Sequence, residues 1–145
     1  MLPKFRAWDK KYKKIMKVNQ IDFEKRTVWI EADNGDHENR HTLTREFGDI
    51  DLMQSTGLKD KNGVEIYEGD IVHRKVHLIL WGSDLNKWID EYECVEWKYG
   101  GWQVGEDLLE FVLDEGVDNH TLCRQTALEV IGNIYENPEL LEVEG

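Results

Sequence analysis

The sequence predicts a mainly β fold, a β-rich α+β arrangement of short antiparallel strands that ends in a short C-terminal helix. The first observation is a series of short segments in which apolar and polar residues alternate, which is the period of a half-buried strand. The second is the set of turn residues that separates these segments. The third is Asn137-Pro138 just before Leu140-Leu141, because Asn favours a helix N-cap and Pro the first helical turn.

The N-terminal third is predicted to form hairpins. Its strand segments are residues 4–9, 15–18, 21–23 and 27–32. Asp9 suits the start of the first turn, because its carboxylate can accept hydrogen bonds from the main chain that follows. Asn34-Gly35 is typical of a tight hairpin turn, since both residues tolerate a positive φ. Residues 36–45 fit either a loop or a poorly buried strand, and both interpretations stay open.

The next predicted strand is residues 50–54, and a turn-dense segment follows it over residues 56–69, which we call the connector. Three glycines in the connector suit tight turns, because glycine adopts a positive φ without a steric penalty. They are Gly57, Gly63 and Gly69. Asp60 suits the first position of a type I turn and Gly63 the last. Ile66 and Tyr67 are then expected to hold the connector against a core.

Beyond the connector, residues 72–80 alternate in character, and one side of this strand is predicted to face the core. Gly100-Gly101 predicts a two-residue hairpin turn, which places Tyr99 opposite Trp102 and Trp97 opposite Val104. In that register the aromatic side chains share one face. The register is then fixed by cross-strand pairs.

Three tryptophans and two segments complete the sequence-based prediction. Trp29, Trp97 and Trp102 lie in alternating runs and are predicted in the core. Residues 107–113 fit either a strand or a helix with an acidic N-terminus. Residues 126–135 return to strand character before the closing helix.

Length and charge restrict the classes of protein. A chain of 145 residues fits one domain over 1–145, or two tightly joined lobes, 1–50 with N-terminal hairpins and 51–145 with a β core and the helix. Lys and Arg number 18 against 30 Asp and Glu, and the net charge of -12 opposes a phosphate backbone. This charge argues against generic nucleic-acid binding without excluding a local basic patch.

The cysteines, the start of the sequence and the length of its apolar runs bear on the cellular compartment. Cys94 and Cys123 are far apart and each lies in a strand-like run, which is typical of free intracellular thiols. The start of the sequence lacks the apolar stretch of a secretory signal. No apolar run approaches the roughly 20 residues that span a bilayer. We therefore expect a cytoplasmic protein without membrane contact.

Four segments resemble hallmark segments of the YopX-type proteins of phages and prophages. They are residues 5–9 (FRAWD), 52–63 (LMQSTGLKDKNG), 66–72 (IYEGDIV) and 130–141 (VIGNIYENPELL). Their order and spread extend the resemblance over nearly the whole chain, although residues 81–90 and 105–125 depart from the pattern. The resemblance implies a β-rich protein encoded by a phage or prophage and working in a bacterial host cell. It implies no established activity, and it supplies no catalytic residues.

The hallmark residues are mostly of types that build turns and core. The residues assigned to this structural motif are Gly57, Asp60, Gly63, Gly69, Asp70, Gly132, Asn137 and Pro138. The segment from Glu68 to Val72 is also a common entry into the first strand of a small SH3-like barrel. We therefore include such a barrel, over the middle and C-terminal part, in the predicted fold.

Histidines and carboxylates are the residue types from which a metal or catalytic site could be built. His73 and His77 point to one side of a strand, as do His37 and His41. Four residues of strand span roughly 13 Å, which is too far for two ligands about 2 Å from one zinc ion. No neighbouring cysteine or carboxylate cluster completes a metal site at either histidine pair. No sequence motif indicates a class of catalysed reaction. The sequence predicts no metal, no cofactor and no catalytic residue.

Two groups of residues are candidates for contact with a partner. Lys10, Lys11, Lys13 and Lys14 concentrate positive charge. They either guard an edge strand in solvent or dock on nucleic acid or an acidic protein, including a second copy. Trp81 and Trp88 flank a loop with few core residues and suit an interface.

The leading hypothesis is a non-enzymatic protein-interaction or self-associating module, a homo-oligomer. The alternatives are a nucleic-acid-binding regulator and, third, a metal-dependent enzyme.

Overall fold

A computed structural model describes residues 4–31, 42–79, 86–117 and 123–142 of the chain. Its contacts divide the chain into two compact units, Met1–Ser55 (unit 1) and Thr56–Gly145 (unit 2). The sequence-based division between residues 50 and 51 falls slightly earlier. In the described ranges the regular elements are strands and short 3-10 turns, so the predicted mainly β fold is confirmed. The Asn34-Gly35 turn, His37, His41 and Trp81 lie outside these ranges.

Unit 1 is an antiparallel sheet. Its strands are β1 Phe5–Asp9, β2 Lys14–Asp22, β3 Thr27–Glu31, β4 Thr42–Glu46 and β5 Ile50–Lys59, the last of which continues into unit 2. The hydrogen-bonded order is β4-β3-β2-β1-β5. Ala7 on β1 faces Met16 on β2 and Leu52 on β5. The buried apolar cluster of this sheet consists of Ala7, Met16, Val28, Ile30 and Ile50.

Unit 2 contains a longer sheet. Its strands are β6 Glu65–Tyr67, β7 Asp70–Ile79, β8 Asn86–Lys98, β9 Gly101–Val104, β10 Asp107–Leu108, β11 Gly116–Val117, β12 Arg124–Gln125 and β13 Glu129–Asn133. Strand β6 pairs with β5, and the remaining order is β10-β9-β8-β7-β12-β11, with β13 also paired to β7. Strands β7 and β8 form a long ribbon that is paired from Ile71 and Cys94 to Ile79 and Asn86.

The core of unit 2 lies inside a curved sheet. The buried cluster consists of Ile66, Val72, Val95, Val104, Leu109, Val112 and Leu128. The sheet forms a half-barrel, and over the described residues its pairing order is open from β10 to β11. The small barrel expected from the sequence therefore takes this open form. Residues 107–113, left open between strand and helix, form β10 and a 3-10 turn, Leu109–Phe111.

The hairpin of β8 and β9 corrects the predicted register. Trp97 pairs with Trp102 and Lys98 with Gly101, so Tyr99 and Gly100 form the two-residue turn. Tyr99 has φ 53° and Gly100 φ 81°, the positive values that a tight primed turn requires. The core prediction was wrong for two tryptophans, because Trp29 is 50% and Trp97 55% exposed. An alternating run predicts which residues share a face, but not whether that face is covered.

The closing helix is a single 3-10 turn, Pro138–Leu141. Pro138 occupies its first turn, as expected, but the side chain of Asn137 does not cap it. The Asn137 carboxamide oxygen instead accepts a hydrogen bond from the Asn133 main-chain N–H, with 3.3 Å between the two atoms. Within the described ranges, no helix has the length and apolar character needed to cross a bilayer.

Candidate interaction surfaces

Asp60 is buried in the connector and works as a main-chain clamp. Its Oδ1 accepts hydrogen bonds from the N–H groups of Asn62 and Val64, at 2.8 and 2.9 Å. The Gly63 N–H donates to the Asp60 carbonyl at 3.0 Å, and Gly63 has φ 79°. Asp60 Oδ2 accepts from the Val130 N–H on β13. Because the Asp60 carboxylate joins the connector turn to a distant strand, its role is structural.

Gly69 and Asp70 fix the start of β7. The buried Asp70 carboxylate accepts a hydrogen bond from the Tyr67 N–H at 2.8 Å. Gly69, at φ 86°, donates to the Val95 carbonyl and accepts from the Ile134 N–H, both at 2.9 Å. This turn therefore ties β6, β7, β8 and the end of β13 together. Gly57, in β5, also has a positive φ of 79°.

Gly132 and Asn137 meet at a bulge. The pairing of β13 with β7 shifts between Val130 and Gly132. A Cβ atom on Gly132 would lie 2.5 Å from the Asn137 side-chain oxygen, which excludes a larger residue unless Asn137 moves. The Asn133 side chain accepts from the N–H groups of Tyr135 and Glu136, at 3.0 and 2.9 Å. These contacts define the last turn before Pro138.

A buried arginine forms the polar centre of unit 2. Arg74 Nε donates to Glu91 at 3.2 Å, Nη1 to Gln125 at 2.7 Å and Nη2 to Asp107 at 3.1 Å. Burial opposes its charge, but Glu93, Glu91 and Asp107 more than offset this, and the pKa of Arg74 is raised. This cluster was not predicted from the sequence, because its members are far apart along the chain.

The turn between β1 and β2, residues 9–14, carries the predicted basic residues, and we call it the lysine turn. The buried Asp9 carboxylate accepts from the N–H groups of Lys11 and Tyr12 at 3.4 and 3.3 Å, and it pairs with Arg45 Nε at 3.0 Å. That hydrogen bond is the main cause that raises the pKa of Arg45. The Lys13 N–H donates to the Asp9 carbonyl at 2.8 Å. Hydrogen bonds to the buried Asp9 therefore fix the main chain of the turn.

The lysine side chains on this turn point to solvent. Lys10 donates to the Gly48 carbonyl at 3.1 Å and lies 3.9 Å from Asp51. Lys11, Lys13 and Lys14 are exposed, and none of them has an ion-pair partner among the residues that the structure describes. The structure thus brings together the four lysines predicted as a partner-binding group.

The other predicted contact residue, Trp88, lies half-exposed on the long ribbon. Its ring packs on His77 at a centroid distance of 4.8 Å, and His77 also hydrogen-bonds Asn86. On the same face His73 packs on Tyr92 at 5.0 Å and lies 2.7 Å from the Asp90 carboxylate. Both histidines are therefore engaged by side chains of β8. Over the described ranges no group of His, Cys, Asp and Glu could hold a metal ion.

A surface cleft lies beside the turn of the β8–β9 hairpin. Its volume is about 400 Å³, and we call it the aromatic cleft. The residues that matter for its chemistry are Leu58, Trp97, Tyr99, Trp102, Leu108 and Glu110. Trp97 and Trp102 meet edge to face, with ring centroids 5.0 Å apart. Tyr99 is 96% exposed at the rim.

This cleft was not predicted from the sequence, because the alternating pattern places Trp97 in the core. Tyr99 is exposed because it lies in the hairpin turn. The sequence-based prediction placed that turn one residue later, at Gly100-Gly101. The surplus of six tryptophans in 145 residues was the signal that could have found it. Tryptophan on an exposed hairpin end is typical of binding surfaces.

Comparison with known proteins covers nearly the whole chain. The model of one family, described as YopX protein, matches residues 4–142 and confirms the resemblance noted in the sequence. Among solved structures, the chain is similar to protein EF1440 from Enterococcus faecalis at 28% sequence identity and a TM-score of 0.59. That match covers 97% of this chain and 99% of the other. No curated protein matches the chain.

Proposed function

The chain belongs to the YopX protein family, and on that premise we propose that it is a non-enzymatic protein-interaction module, encoded by a phage or prophage and working in the cytoplasm of a bacterial host. The observation that carries this proposal is the exposed aromatic surface of unit 2. Trp97 is 55% and Tyr99 96% exposed beside the aromatic cleft. Large apolar side chains left in water are typical of surfaces that a partner covers.

Aromatic side chains contribute to an interface in two ways. Their area is large, and burial of apolar surface stabilises a complex by roughly 25 cal/mol per Å² before the costs of association are subtracted. Trp and Tyr also concentrate at the few positions that dominate binding energy. The edge-to-face contact of Trp97 with Trp102 holds one ring in place before binding. A partner would therefore meet an ordered surface.

The buried charged residues support an architectural interpretation of the rest of unit 2. Asp60 and Asp70 accept hydrogen bonds from main-chain N–H groups. Arg74 is surrounded by Glu91, Asp107 and Gln125. Each of these groups completes the fold, which supports a function performed at the surface.

Capture from prophage-carrying cells tests the proposal. Tagged wild-type protein and a Trp97→Ala/Tyr99→Ala variant are compared, with Phe111→Ala, another exposed aromatic residue, as the matched control. We expect one or more proteins to be retained by the wild type and the control and lost with the double variant. Capture that does not change with the double variant, or no capture together with a monomeric mass, contradicts the proposal.

A second candidate function is a nucleic-acid-binding regulator. The observation that favours it is the set of exposed lysines on the lysine turn, Lys11, Lys13 and Lys14, without ion-pair partners in the described ranges. Lysine–phosphate contacts release counterions, so binding would weaken as salt rises. A gel shift with DNA and RNA that disappears when these lysines become Glu supports this function. An absent shift removes it.

A further inference from the structure

Resting on the proposed function, we propose that the lysine turn of one copy docks on the aromatic cleft of a second copy, in a head-to-tail contact. The partner of the cleft is then this chain itself, and the recognised group is a lysine ammonium presented by a fixed turn.

Charge is distributed unequally between the two units. Residues 1–55 contain 11 Lys and Arg against 10 Asp and Glu, whereas residues 56–145 contain 7 against 20. Within unit 1, four of the five residues from 10 to 14 are lysine. The lysine turn is thus the densest run of positive charge in the sequence, and 20 of the 30 Asp and Glu belong to the unit that holds the aromatic cleft.

This distribution selects which surfaces a self-contact brings together. A contact that places unit 2 against unit 2, or the lysine turn against the lysine turn, brings like charges together. Either arrangement is repulsive in a protein of net charge -12. A head-to-tail contact instead pairs the lysine turn with unit 2, and it is the arrangement in which attraction opposes the overall repulsion.

The lysine turn is ordered before any contact forms. The Asp9 carboxylate holds the N–H groups of Lys11 and Tyr12, and Arg45 lies over the Tyr12 ring at 5.2 Å. Because the main chain is already fixed, docking orders only the lysine side chains, which lowers the entropic cost of association. Tyr12 is 52% exposed among them and supplies apolar area.

The aromatic cleft offers the groups that a lysine side chain prefers. The faces of Trp97, Trp102 and Tyr99 attract an ammonium group, and their apolar surface accepts the methylene stem. Glu110 is exposed on the lining and supplies a carboxylate for the charged end. Leu108 adds apolar surface to the lining. The cleft therefore matches the side chains of the lysine turn in both charge and character.

Sedimentation velocity on the full chain tests this contact with two variants. The turn variant is Lys11→Glu/Lys13→Glu/Lys14→Glu, and the cleft variant is Trp97→Ala/Glu110→Gln. All substituted residues are exposed, and circular dichroism checks that both variants fold. The control is Lys25→Glu, another exposed lysine of unit 1 that lies in the next turn. We expect the wild type and the control to self-associate at low salt, and association to weaken as salt screens the charges.

The self-association affinity of each variant alone is expected to be at least about tenfold lower than that of the wild type. Mixing the two variants gives the decisive result, because the turn variant keeps an intact cleft and the cleft variant keeps an intact turn. The mixture should form a one-to-one complex that cannot extend, whereas the wild type continues to larger rings or chains.

Several results overturn the inference. They include a wild type that stays monomeric at every salt concentration, self-association that neither variant reduces, and a mixture in which no heterodimer forms. A monomeric wild type that still captures another protein through Trp97 overturns the self-contact but leaves the proposed function in place. Loss of a nucleic-acid gel shift in the turn variant, with unchanged self-association, assigns the lysines to nucleic acid and also overturns it.

Discussion

Asp60 on the connector accepts a hydrogen bond from the main-chain N–H of Val130, with 2.8 Å between Oδ2 and the nitrogen. The Lys61 N–H donates to the Leu128 carbonyl at 3.1 Å, so two bonds join the connector to the approach of β13. The other Asp60 oxygen closes the connector turn. One carboxylate therefore couples a local turn to a strand far along the chain.

Asp60→Asn should destabilise the protein. An amide keeps one acceptor oxygen and replaces the other with a donor, so either Val130 or the turn loses its acceptor in a buried place. Leaving a buried donor unsatisfied costs about 2 kcal/mol. Urea unfolding followed by tryptophan fluorescence measures this. Asp49→Asn, an exposed aspartate, is the control and should change the free energy of unfolding by less than about 0.5 kcal/mol. Equal effects of the two changes would contradict the clamp.

The same residue shows how far the sequence could predict the structure. The Asp-Lys-Asn-Gly spacing predicts the turn at Asp60, because turn geometry depends on adjacent residues. The bond to Val130 depends on where β13 packs, which no local pattern encodes. The Arg74 cluster escaped prediction for the same reason. Trp97 was misplaced because its exposure depends on whether the rest of the fold covers its face of the hairpin, which the alternating pattern does not encode.

Gly132→Ala should also destabilise the protein. The new Cβ would lie 2.5 Å from the Asn137 side-chain oxygen, so Asn137 must move and release the Asn133 N–H. We expect a loss of about 1–2 kcal/mol. In an Asn137→Ala background the two shortest contacts are absent, and the same change should cost clearly less. Gly116→Ala is the control, because nothing lies within 4 Å of its Cβ position. Additive effects at 132 and 137 would contradict a direct clash between the two side chains.

Arg74→Met should be more damaging than either of the two preceding substitutions. It removes the donor to Glu91, Asp107 and Gln125 and leaves carboxylates partly buried without a compensating charge. Breaking a buried pair on one side costs about 3 kcal/mol or more. The control is Arg124→Met, since Arg124 is exposed. The free energy of unfolding from urea titration is the measurement, and a loss no greater than that of the control would contradict a structural role.

Cys94 should react slowly with iodoacetamide. Burial, with the nearby Glu96 as the next cause, raises the pKa of its thiol from 9.0 to about 11. The reactive thiolate is then about 100-fold scarcer at pH 8 than in an ordinary cysteine. In a Cys123→Ser background the folded protein should be labelled far more slowly than the same protein in urea. The rate should keep rising with pH up to about 11. Equal folded and unfolded rates would contradict the raised pKa.

Tyr99 is the residue at which stability and binding should separate. Its φ of 53° is unfavourable for a bulky side chain, whereas Asn tolerates this region and suits a two-residue hairpin turn. Because Tyr99 is 96% exposed, its replacement removes almost no buried area. Tyr99→Asn should therefore raise the free energy of unfolding by about 0.5–1 kcal/mol.

The same Tyr99→Asn substitution should weaken the contact at the aromatic cleft, because it removes a ring from the rim. Strain that persists where a better residue is available is typical of a functional position. Phe111→Asn is the control, since Phe111 is 67% exposed but does not have a positive φ. It should neither stabilise the fold nor reduce the contact. Unfolding by urea and sedimentation velocity on the same samples give both readings. A Tyr99→Asn protein that is more stable and assembles as the wild type does would show that the ring serves no contact, and one that is less stable would show that the turn is not strained.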